Sequence, residues 1–102
     1  MTRLPADPDE LDRFARNYRP LLLRFLPQRA EEVRAEAYDL GRAAFADGVA
    51  LLDVCRIHQE VTGEVLSDAR PDEVVHVHAT SGELLLELLA AYEMTHRAAS
   101  GR

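Results

Sequence analysis

Apolar residues recur at intervals of three and four along almost all of this 102-residue chain. That period places them on one face of an α-helix, whereas a half-buried strand needs strict alternation. Leu11, Phe14, Tyr18, Leu22 and Phe25 form the first such face. Asp7-Pro8-Asp9-Glu10 precedes it with a helix-start signature: Asp7 as cap, Pro8 where a missing N–H costs nothing, and Glu10 at capping-box spacing. Pro20 predicts a kink or break near Tyr18–Arg19, and Pro27 ends the segment.

A second helix begins around Gln28–Ala30, with Val33, Ala37, Leu40, Gly41 and Ala44 as a narrow stripe of mostly small residues and Tyr38 and Phe45 beside it. Such a stripe lets a neighbouring helix approach closely, and Gly48 is a plausible left-handed stop. The third helix carries Leu51, Val54, His58, Val61 and Val65 on one face, widened by Leu52, Cys55 and Ile57; Gly63 weakens its last turn. The last segment opens with the β-branched run Val74-Val75-His76-Val77-His78. A strand there would have no partner elsewhere in the chain, so its backbone groups would stay unpaired. One helix from Pro71 to about Ala99 is the reading that avoids this. The expectation is therefore a single all-α domain, 1–102, a four-helix bundle with helices over about 8–26, 29–47, 49–66 and 71–99. From Leu84 to Tyr92 the last helix is apolar on most sides, which requires cover from more than one neighbour. A second copy of the chain is the simplest cover, with Leu85, Leu88, Leu89 and Tyr92 as the expected homodimer interface.

Composition removes several functions. Twelve Arg, no Lys and 18 Asp+Glu give a net charge of −6, the wrong sign for a protein that tracks phosphates, so no nucleic acid is expected. One Cys forms no intramolecular disulfide and builds no thiolate zinc site, which fits a reducing, cytoplasmic setting. Met1–Glu10 lacks the apolar run of a secretory signal, and Leu84–Tyr92 is interrupted by Glu87 and too short to span a bilayer.

No nucleophile motif, phosphate-binding glycine loop or paired-carboxylate constellation stands out, so the chain reads as non-catalytic, with no metal or cofactor expected. Cys55 and His58 lack the convergent ligands a metal requires, and in a helix His76 and His78 point apart. His58 reads more simply as a core or interface histidine holding one buried hydrogen bond. A helical bundle with histidines also suggests a phosphorelay domain using His58 or His96, although neither lies in the usual motif around a phosphorylated histidine. Asp39 and Arg42 are three apart and would form an intrahelical ion pair, while Asp53 sits near a helix N-terminus that favours it.

Ala37-Tyr38-Asp39-Leu40-Gly41-Arg42-Ala43-Ala44, followed by Gly48-Val49-Ala50-Leu51-Leu52-Asp53-Val54 and Ile57-His58, resembles the N-terminal domain of RsbU-type phosphoserine phosphatases. The run from Leu84 to Arg97 is similar to the helix that leaves this domain in related bacterial regulators, and Tyr18-Arg19-Pro20-Leu21-Leu22 also fits. The resemblance spans about Arg16 to Arg97. It implies a homodimeric regulatory domain that recruits a switch kinase (RsbT-like) and thereby controls a C-terminal PP2C-type phosphatase domain in a stress, sigma-factor pathway. The residues expected to receive that partner are Tyr38, Asp39, Arg42, Asp53, Ile57 and His58.

Overall fold

The computed structural model describes residues 6–101. Four α-helices make up the fold: α1 Pro8–Phe25, α2 Glu31–Ala46, α3 Leu51–Asp68 and α4 Val74–Ser100, the last preceded by a 3-10 turn over Pro71–Glu73. No strand occurs among the described residues. The Val74–His78 run is helical throughout, because intrahelical bonds satisfy a backbone that has no neighbouring strand.

Local chemistry sets the ends. Asp7 caps α1 by accepting the Glu10 N–H at 2.9 Å, and the Glu10 carboxylate accepts the Asp7 N–H at 3.1 Å. Pro20 does not break α1: the helix runs through it, as the single first helix over about 8–26 requires. Pro20 faces outward, where water can take the Arg16 carbonyl that the ring leaves without a partner. At the end of α2, Gly48 adopts φ 80°. Its N–H bonds to the Phe45 carbonyl and that of Val49 to the Ala44 carbonyl, the paired closure of a Schellman motif.

Each of α1 and α4 touches all the other helices, whereas α2 and α3 stand diagonally opposed and make at most marginal contact. The largest interface is between α2 and α4. Its small-residue stripe is required there: a Cβ on Gly41 would sit 2.2 Å from the Leu88 carbonyl oxygen. Phe14, Tyr18, Leu22, Phe25, Val54, Leu84 and Leu88 fill the centre. Tyr92 anchors α4 to the α2–α3 connection, its hydroxyl donating to the Val49 carbonyl at 2.7 Å. Around the rim Arg24 donates two bonds to Glu36, at 2.8 and 2.6 Å, and Glu83 faces Arg29 and Arg34 at 3.4 and 3.5 Å. These exposed pairs orient α1, α2 and α4 and add little stability, because water and salt screen them.

By length and composition alone Pro71–Ser100 also passes as long and apolar enough to cross a membrane, a property the shorter Leu84–Tyr92 window concealed. In the bundle, however, one side of α4 is core: Val77, Thr80, Ser81, Leu84, Leu88, Ala91 and Tyr92 are all buried. Among the described residues Thr62 is the exception to good internal pairing, because its buried hydroxyl has no hydrogen-bond partner there.

Candidate protein-interaction surfaces

The six residues expected to meet a partner fall on two separate sides of the bundle. Tyr38, Asp39 and Arg42 lie on α2, and Asp53, Ile57 and His58 on α3. Because those helices are diagonal, the two groups share no common face.

On the α3 side the side chains are occupied within the chain. Ile57 is core. Asp53 pairs with Arg56 one turn on, and Arg56 also reaches Glu60 at 3.7 Å. His58 is half-buried, and its Nδ1 lies 2.5 Å from the hydroxyl of the fully buried Tyr18. Burial pushes the Tyr18 phenol well above its ordinary range, so the hydroxyl keeps its proton and shares a hydrogen bond with Nδ1 whose donor is set by the imidazole tautomer. Burial, with His78 nearby, lowers the His58 pKa below its usual 6.5. This is the structural histidine that the apolar stripe suggested. Among the described residues no group of three or more His, Cys, Asp or Glu could hold a metal ion.

The α2 side is different. Tyr38 and Arg42 are one turn apart on one helix face. The Tyr38 hydroxyl reaches the sulfur of Met94 on α4 at 3.6 Å, and Met94 is itself 58% exposed. Asp39, on the adjacent face, lines a shallow groove of about 480 Å³ between α1 and α2 with Pro20, Leu21 and Ala43. The expected Asp39–Arg42 ion pair is absent: both charges are exposed and neither has a partner among the described residues. An aromatic ring, a thioether and two uncommitted opposite charges form a surface suited to protein recognition. Met94 was missed from the sequence, since only the α2–α4 packing brings it to Tyr38. Its signal was an apolar side chain at the polar end of a helix.

A second surface is the outer side of α4. Val75, Ala79, Gly82, Leu86 and Ala90 follow one another at helical spacing directly opposite the core face, flanked by Leu85 and Leu89. Val75 is 80% and Leu86 67% exposed. A Cβ on Gly82 would meet nothing within 4 Å, so the stripe is open to close approach from outside. Of the four residues expected in a dimer interface, Leu85 and Leu89 border this stripe. Leu88 and Tyr92 do not reach the surface: Leu88 is fully enclosed by the chain's own core, and Tyr92 stacks edge-on against Phe45 at 5.5 Å. The two-sided apolar character of Leu84–Tyr92 thus has two causes, one an internal core and the other an uncovered face.

A family model for the N-terminal domain of the phosphoserine phosphatase RsbU matches residues 16–95. The chain belongs to this family. The match runs from mid-α1 to the last turns of α4, so it takes in all four helices and both surfaces. No curated protein and no solved structure matches at a significant level. As an RsbU N-terminal domain the chain is of the regulatory kind rather than the catalytic part of such a phosphatase.

Proposed function

We propose that this RsbU N-terminal domain is a homodimerising receiver for a switch kinase of the RsbT-like kind, and that docking of the kinase controls a PP2C-type serine phosphatase domain in a cytoplasmic bacterial stress-response pathway. The observation that carries the reading is the Tyr38–Arg42–Met94 surface with Asp39 beside it, on a chain whose family is regulatory. Tyr38 supplies apolar area at small entropic cost, and Asp39 and Arg42 set charge register with the partner. Asp53, Ile57 and His58 maintain α3 rather than meet the kinase.

Dimerisation uses the outer face of α4. Val75 to Ala90 spans about 24 Å of helix, and a two-fold partner would lay its own α4 along it, with Ala79 and Gly82 allowing close approach. A stable interface buries about 800 Å² per subunit, so a neighbouring helix contributes as well. Light scattering tests this part. The expected mass is twice the 11.4 kDa of one chain, and Leu86→Glu should return it to that of one chain. A wild-type monomer at high micromolar concentration rejects the dimer. For the kinase, the test is activation of the full-length phosphatase: added kinase should raise its activity, and Arg42→Ala should blunt the rise while Asp53→Ala leaves it intact. Equal activation in both variants assigns the kinase to another face.

His58 does not favour the phosphorelay alternative, because its ring is half-buried and Nδ1 is committed to Tyr18. Incubation with a phosphorylated receiver domain should leave no acid-labile phosphate on any histidine.

A further inference from the structure

At the end of the bundle remote from Gly48, the last turns of α1 and α3 and the first turn of α4 border an open cleft of about 500 Å³. That volume is in the range of small-molecule sites. Leu23, Leu26, Val65, Ala69 and Val77 give it an apolar lining, and Leu23 is 51% exposed above it. The polar groups at its edge are Arg19, Glu64, Asp68, Glu73 and His76.

Most of these are committed. Arg19 bonds to Glu64 and holds that carboxyl below its usual range. Glu73 accepts the Arg70 N–H at 2.8 Å and faces the Arg70 guanidinium at 3.6 Å. His76 Nε2 donates to the Leu26 carbonyl at 2.7 Å, which quiets the negative end of α1, where Arg24 also stands in the last turn. The end of α3 has no such compensation. Its last turn contains no basic residue, and Asp68 there has no ion-pair or hydrogen-bond partner among the described residues. A carboxylate at a helix C-terminus adds to the negative pole of the peptide dipoles instead of opposing it. Glu64 and Glu73 are thus each paired with a guanidinium, Arg19 and Arg70, which leaves Asp68 as the uncompensated carboxylate at an edge that adjoins apolar wall.

We propose that this cleft binds an amphiphilic amine, a small organic cation whose ammonium group pairs with Asp68 at the end of α3 while its alkyl body covers Leu23, Leu26 and Val65. A neutral hydrocarbon would fill the lining and leave Asp68 unmet; an organic anion would be repelled. The cleft shares no residue with the surfaces assigned to the kinase and to the second copy, so its failure would leave those assignments untouched.

The test is an amide-resolved NMR titration of the 102-residue chain with n-octylammonium, using octan-1-ol and octanoate as neutral and anionic controls of the same alkyl length. The expected result is saturable shifts at Val65, Asp68, Ala69 and Val77. Octylammonium should bind about two- to fivefold more tightly than octanol, and octanoate least tightly. Asp68→Asn, at an exposed helix end where it does not threaten the fold, should remove that preference and leave octanol binding unchanged. Equal affinity for octanol and octylammonium overturns the proposal. So does a preference that survives Asp68→Asn, shifts centred outside the cleft, or no saturable shift up to about 10 mM.

Discussion

Single atoms decide the effect of small changes in this bundle. Gly41 has no room for a methyl group, since its Cβ would overlap the backbone of α4 at Leu88. Backbone cannot rotate away as a side chain can, so Gly41→Ala should cost about 2–3 kcal/mol, measured by urea unfolding. Gly63, exposed in the interior of α3, has nothing within 4 Å of such a methyl. Gly63→Ala should raise stability by about 0.5–1 kcal/mol. Thr62 offers a third case: Thr62→Val keeps the shape and removes an unpaired buried hydroxyl, for a gain of about 1 kcal/mol.

His58 gives stability a pH dependence of defined sign. Its folded pKa lies below the unfolded value of about 6.5, so on acidification the unfolded chain takes up the proton first. Its contribution is complete above about pH 6.5 and is lost as pH falls through that value toward the lower folded pKa. The urea midpoint of the wild type should fall between pH 7 and 5, and NMR should show the His58 ring titrating below a peptide histidine. A His58 titration at or above 6.5 contradicts the assigned burial.

At the scale of elements, what was legible depended on whether information was local. The face from Phe14 to Phe25, the Asp7 cap and the Gly48 stop were readable because helical period, capping and left-handed glycine each act within a few residues. Whether Pro20 would break the first helix or sit within it was left open, because its cost depends on whether the freed carbonyl meets water or core, a tertiary fact. Leu52 was placed among residues widening the core face of α3, yet it is 77% exposed. It stands nearly opposite Val54 around the helix, too far round for one neighbour to cover. The candidate site depends most on information that is not local. Tyr38 and Arg42 share a face by spacing alone, but spacing within α2 and within α3 does not tell whether those helices are neighbours. They are diagonal, so one imagined patch became a free surface on α2 and an internally satisfied one on α3. For the same reason Leu88 and Tyr92 were indistinguishable from Leu85 and Leu89 until α2 was seen to cover only one side of α4.

The described chain is elongated, about 48 × 27 × 17 Å, because α4 outruns its neighbours. Its 27 residues extend about 40 Å, against 24–27 Å for helices of 16 to 18 residues. The first part of α4 holds the core, while beyond Tyr92 most side chains are exposed and Met94 reaches back to Tyr38. One helix thus belongs at once to the core, to the outer apolar face and to the proposed kinase surface. A kinase gripping Tyr38 and Met94 would contact the same helix that is proposed to pair two copies, which would give a direct mechanical route between docking and such a dimer. Calorimetric titration of this chain with an RsbT-like switch kinase tests that picture most directly. The account expects saturable binding with one kinase per protomer, weakened about tenfold or more by Tyr38→Ala and by Arg42→Ala, an interface anchor being worth over 1 kcal/mol, and unchanged by Asp53→Ala. Absence of binding by the folded wild-type chain, or binding that both α2 variants leave intact, would contradict it.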